Sequence, residues 1–155
     1  MITIKDIFPI VLLTMLSIPI IIFIGAFFLK MRMKNGGLKP IALIEMSSIV
    51  VLNILRKKYG FMLCTIQSLK LLDDYIEEIL QKEDKAKVLD NNELLFQLGS
   101  YLGQVLKYRK KYKWKIDNND VYMEKKGSVI NPHDKVRKRI CNGKEDSLYE
   151  YAILV

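Results

Sequence analysis

A chain of 155 residues carrying a formal charge of +8 has room for one compact domain beside a membrane segment, and not for a second domain. Half of its residues are hydrophobic although 27% are charged, because the apolar excess lies before Lys30 and the remainder has an ordinary globular composition. One histidine and two widely separated cysteines, Cys64 and Cys141, make no His/Cys zinc site without added carboxylates. No metal and no cofactor is expected, and the thiols are expected buried or half-buried in a reducing compartment.

Residues 1–6 form a short flank in which Lys5 and Asp6 cancel. Ile7 to Leu29 is a run of 23 residues without a charge. As a helix it reaches roughly 34 Å, enough to cross a hydrocarbon core of about 30 Å. Pro9 falls in the first turn, where its missing N–H is harmless, and Pro19 would kink the span near Ser17. A cleaved signal peptide has a shorter apolar region behind a clearly positive start, whereas this run starts nearly neutral and continues through Phe27, Phe28 and Leu29. The expectation is a retained, single-pass transmembrane helix over 7–29. Lys30, Arg32, Lys34 and Lys39 follow it with no acid among them, which by the positive-inside rule leaves the C-terminal domain on the cytoplasmic side of the inner membrane. Asn35, Gly36 and Gly37 break this basic linker, 30–40, before Pro40 opens the next element.

The domain is expected over 41–155. Ile41 to Lys58 is helical in pattern, but its mostly apolar stretch ends at Leu55 and is interrupted by Glu45, which suits a core or interfacial helix better than a second span. From Ile66 to Gln81, Leu69, Leu72, Ile76 and Leu80 recur at helical spacing and predict an amphipathic helix. Lys82 to Asn92 reads as polar connection. Glu93 opens a further helix through Leu106 that carries Gly99 and Gly103 four apart. Each glycine costs up to about 1 kcal/mol against alanine, so another element should press on that side. Tyr112 to Ile116 and Val121 to Glu124 alternate on either side of an Asp/Asn turn and predict a β-hairpin. Asn131-Pro132 starts a helix, Asn142-Gly143 stops it, and a short helix from Glu145 to about Tyr151 ends the series. The class is α+β, with helices around a small antiparallel element.

Ser68-Leu69 with Leu72-Asp73, Gly99-Ser100-Tyr101-Leu102-Gly103, Trp114, Asn131-Pro132, Lys135 to Arg139, and Asn142-Gly143 with Asp146-Ser147-Leu148 resemble a family of uncharacterised bacterial domains with no established activity. The resemblance spans roughly Tyr59 to Tyr151. That family tends to place glutamate after the second glycine, where this chain has Gln104, so the resemblance gives no carboxylate for acid–base work there. It implies instead a surface built by Tyr101, Gln104, Trp114 and the basic helix, suited to binding rather than catalysis.

No P-loop, GxSxG, HExxH or GxGxxG is present. His133 stands in the first turn of a predicted helix, where an exposed capping-region residue is the ordinary role. Asp73, Asp74, Glu77 and Glu78 read as a solvated helix face, with the alternative that they answer positive charge elsewhere in the fold. The sharper signal is the stretch from Lys107 to Lys115, with six cations, no acid and three aromatics. Its candidate binding residues are Lys107, Arg109, Lys111, Lys113 and Trp114. Lys135, Lys138 and Arg139 form a second basic cluster, and the two would act together only if they share a face. Trp114 fits either a base-stacking role or, more commonly, a core position. The leading expectation is a membrane-tethered interaction domain that binds a protein partner or an anionic surface, such as an immunity or accessory protein. Anionic lipid head groups and nucleic acid are the further partner classes. A small enzyme with a site around Tyr101 and the hairpin is the reading from a different class.

Overall fold

The structure, a computed structural model, describes residues 40–117 and 120–155. The predicted span at 7–29 and most of the basic linker lie outside the described residues. Among the described residues no helix is long and apolar enough to cross a membrane. The chain from Pro40 forms a helix-rich α+β fold in the order α1 (Pro40–Tyr59), α2 (Ser68–Lys82), α3 (Lys85–Asp90), α4 (Asn92–Lys110), β1 (Lys113–Asp117), β2 (Asp120–Lys125), β3 (Ser128–Ile130), α5 (Pro132–Asn142), a 3₁₀ turn (Gly143–Asp146) and α6 (Leu148–Leu154).

The helices α3 to α6 start where side chains take up otherwise unpaired N–H groups. Asn91 accepts from Leu94 N at 3.0 Å to open α4. Asn131 accepts from His133 N at 3.0 Å and Asp134 N at 3.2 Å to open α5, with Pro132 in the first turn as predicted. Ser147 accepts from Glu150 N at 3.2 Å, so the last helix starts later than the predicted Glu145, behind the 3₁₀ turn. Lys82 to Asn92 is not merely polar connection, since Asp84 caps the six-residue α3, which buries Val88. Six residues with three apolar positions, Ala86, Val88 and Leu89, are too short to show a helical period.

α4 is the central element and packs against α1, α3, α5 and β1. Every residue from Leu98 to Leu106 on it is buried. A helix buried all round keeps no solvent face over that stretch. α1 turns Ile44, Ser48, Val51 and Leu55 inward, and α2 contributes Leu69, Leu72 and Ile76 to the same core. At about 1.5 to 3 kcal/mol for each fully buried large aliphatic side chain, this apolar cluster is the main stabilising term.

The sheet has three antiparallel strands in the order β1-β2-β3, one more than the predicted hairpin. Trp114 pairs with Met123, and Met123 with Ile130, giving the sheet an inward row. β3 arises from a two-residue turn, Lys126-Gly127, in which both residues have positive φ (49° and 82°), as a type I′ hairpin requires.

The glycine side of α4 meets the two elements that follow it. A Cβ on Gly99 would lie 2.8 Å from His133 Cγ, and one on Gly103 would clash with the Cζ2–Cη2 edge of the Trp114 indole. His133 is therefore not an exposed capping residue. It stacks on Phe96 with ring centroids 5.1 Å apart and lies 5.9 Å from the Trp114 ring. Burial holds its imidazole pKa below the ordinary value.

Gly99→Ala and Gly103→Ala should each destabilise the protein by about 1 to 3 kcal/mol in denaturant titrations, although alanine is the better helix former by up to about 1 kcal/mol. Unchanged or increased stability would show that neither ring presses on the helix.

Candidate functional site

α4 ends at Lys111, which adopts a left-handed conformation (φ 64°) and caps the helix with a backbone bond to Leu106 O. The reversal sets the last turn of α4 beside β1, so the cations of both elements converge. Arg109, Lys110 and Lys111 line one side of a groove of about 680 Å³, and Lys113 and Lys115 on β1 line the next. Lys125 arrives from the end of β2 and Lys126 from the β2–β3 turn, and Glu124 is the sole carboxylate among the described residues of the lining.

Some of these charges are engaged. Lys110 Nζ donates to Ile153 O at 2.9 Å, Arg109 Nε donates to Cys64 O at 3.3 Å, and Lys125 Nζ stands 5.0 Å over the Tyr112 ring. Lys115 and Glu124 approach at 3.8 Å. Lys111, Lys113 and Lys126 have no acid within ion-pair distance among the described residues. Like charges gathered this closely repel one another and raise the local potential, so an anion in the groove lowers the energy of every one of them.

The remaining predicted site residues are elsewhere. Tyr101 is only 1% exposed, and its hydroxyl donates to Ser68 Oγ at 2.8 Å. Burial pushes its pKa up to about 12. Gln104 and Trp114 are buried too, so no surface is built from Tyr101, Gln104 and Trp114. Position 104 carries an uncharged side chain because it faces the interior, where a glutamate would be desolvated. Lys107 pairs with Glu45 of α1 at 2.8 Å and lies outside the groove. Of the aromatics in the basic stretch, Tyr112 and Trp114 are buried and Tyr108 is exposed.

The second basic cluster does not join the first. Lys135 is bonded to Asp146 at 2.6 Å and lies 5.1 Å from the Tyr151 ring, while Lys138 is exposed outside the groove. Arg139, taken from the sequence as a binding residue, is 1% exposed. Its Nε donates to Asp73 Oδ1 and its Nη2 to Glu77 Oε1, both at 2.7 Å. The acids of α2 are thus not simply a solvated face. Glu78 binds Lys58 and accepts from the Tyr59 hydroxyl, and Asp74 is the one left exposed.

Compared with family models, curated proteins and solved structures, the chain matches none. The short motifs around Ser68, Asp73, Gly99 to Gly103, Trp114, Pro132 and Ser147 contact one another. Ser68 receives Tyr101, Gly99 receives His133 beside Pro132, and Gly103 receives Trp114. Asp73 accepts from Ser147 Oγ at 2.9 Å and from Leu148 N at 3.1 Å. These residues build the interior, and the groove is lined by others. Lys125 and Lys126 were missed in the sequence, although Lys126-Gly127 marks the turn that carries them.

The two thiols differ sharply. Cys141 is exposed, whereas burial pushes the Cys64 thiol up to about 11, partly opposed by Arg109. At neutral pH a thiol-specific reagent should modify Cys141 and leave Cys64 essentially untouched. Cys64 should react only as the pH rises toward 11 or on unfolding, because the thiolate is the nucleophile. Equal rates for both thiols at neutral pH would contradict the half-buried placement of Cys64.

Proposed function

We propose that this protein is a non-catalytic, membrane-tethered binding module whose basic groove takes an acidic segment of a protein partner on the cytoplasmic side of the inner membrane. The observation that carries the reading is the groove itself, with Lys111, Lys113 and Lys126 unpaired among the described residues and a single carboxylate in its lining. An extended acidic chain matches such a surface, because carboxylates at successive positions can meet cations supplied by α4, β1 and the β2–β3 turn. β1 is also an edge strand whose outward backbone groups suit an added strand. The tether rests on the uncharged run at 7–29, and its effect would be to hold the groove near the membrane, where an accessory or immunity protein meets its partner.

Two other readings have less to stand on. A single-stranded nucleic acid would stack on exposed rings, and Trp114 and Tyr112 are spent in the core while the exposed Tyr108 does not line the groove. An enzyme using Tyr101 would need its hydroxyl accessible, and that hydroxyl is buried against Ser68.

The test is binding of a fluorescent glutamate-rich peptide to the full-length protein in neutral detergent. Affinity should fall steeply between 0.1 and 1 M salt, as the Debye length shrinks from about 10 Å to about 3 Å. The combined variant Lys111→Glu, Lys113→Glu, Lys126→Glu should lose binding at least tenfold while keeping its helical circular dichroism. Lys138→Glu, outside the groove, should bind as the unaltered protein does. Wild-type affinity in the triple variant would overturn the reading.

A further inference from the structure

α1 is apolar on both sides. Ile44, Ser48, Val51 and Leu55 face the core, yet Leu43, Met46, Ile49 and Val50 on the opposite side are 43%, 45%, 53% and 43% exposed. At 100° per residue these exposed side chains form one stripe along the helix. A stripe of this kind on a helix of 20 residues is not a core requirement, because the core is already served by the other face.

Its surroundings point to what covers it. Glu45, the single acid of α1, is paired with Lys107, so the helix presents no uncompensated negative charge. Arg56, Lys57 and Lys58 close its last turn. Just beyond, Phe61 is 87% exposed, and Arg56 lies 5.7 Å from its ring. Lys30, Arg32, Lys34 and Lys39 precede the helix. Only residues 30–39 separate the uncharged run from Pro40, a chain that extends at most about 3.3 to 3.6 Å per residue. Cations at both ends disfavour a second copy, since parallel and antiparallel pairings of α1 each bring positive ends together. An anionic lipid surface instead neutralises both ends while its acyl boundary takes the stripe.

We infer that the outer face of α1 lies in the headgroup–acyl boundary of the membrane, so that the domain is docked on the bilayer in one orientation rather than suspended from it. This rests on the tethered reading above. Docking through α1 fixes the orientation of the domain on the bilayer, and it presents the groove at a set height to partners approaching along the surface.

The experiment uses the full chain reconstituted in phosphatidylcholine–phosphatidylglycerol vesicles. An environment-sensitive fluorophore is placed at Ile49→Cys in a Cys64→Ser, Cys141→Ser background, with the native Cys141 labelled in Cys64→Ser as the reference. Because Ile49 is exposed, the label leaves the core intact, which circular dichroism checks. The Ile49 label should emit to the blue of the Cys141 label and be quenched several-fold more by nitroxide-bearing lipids. Carbonate extraction separates the two claims. Release of the chain overturns the tethered reading, whereas retention with an Ile49 label as wet as that on Cys141 overturns only the docking of α1. A blue-shifted label that lipid nitroxides do not quench would show the stripe covered by protein, and would overturn it equally.

Discussion

A carboxylate taken out of water must be given hydrogen bonds from every side or it is protonated or expelled, and Asp73 is held in that way. Arg139 Nε donates to it from α5 at 2.7 Å, Ser147 Oγ at 2.9 Å, and the backbone N–H groups of Leu148 and Tyr149 at 3.1 and 3.2 Å from the start of α6. One side chain of α2 therefore fixes two later helices at once. The second donor edge of Arg139 goes to Glu77, so a nearly inaccessible guanidinium is bridged between two acids one helical turn apart. The α6 N–H groups supply part of the compensation for the excess negative charge.

This distribution of charge separates architecture from function. Over most of the described domain positive and negative groups are matched in place: Arg139 with Asp73 and Glu77 in the interior, and Lys107 with Glu45 and Lys135 with Asp146 nearer the surface. Around the end of α4 the matching stops, and cations from three elements converge on a groove with one carboxylate. The +8 net charge is thus not a uniform solubilising coat. Its uncompensated part includes a concave site, which is where a partner of opposite charge gains most.

The course of the chain was legible because its signals are local. Asn131-Pro132 and Asn142-Gly143 mark the ends of α5, and the alternation around Trp114 marks β1, because caps and pleats depend on neighbouring residues. The close approach at Gly99 and Gly103 was legible too, since a glycine pair inside a helix has few other uses. β3 was not, because three residues show almost no alternation and the turn that makes it is a Lys-Gly pair. The candidate site was legible only in part. Arg109, Lys111 and Lys113 were found because they are adjacent in sequence, whereas Lys125 and Lys126 join them only through the fold. Tyr101, Gln104 and Arg139 were misplaced for one reason. Polar side chains read as surface by default, and only tertiary contacts reveal that α4 is enclosed on all sides from Leu98 to Leu106 and that Arg139 has two acids waiting for it.

The dependence of the fold on Asp73 can be measured through hydrogen exchange of the full-length protein carrying Asp73→Ala. Removing one partner of a buried ion pair costs about 3 to 5 kcal/mol, which corresponds to roughly two to three and a half decades in exchange rate for amides that open with it. The account predicts that the amides of Leu148 to Leu154 lose protection by that order and that α5 loosens with them, while Leu98 to Leu106 of α4 exchange last. Protection of α6 at wild-type levels in Asp73→Ala would contradict it.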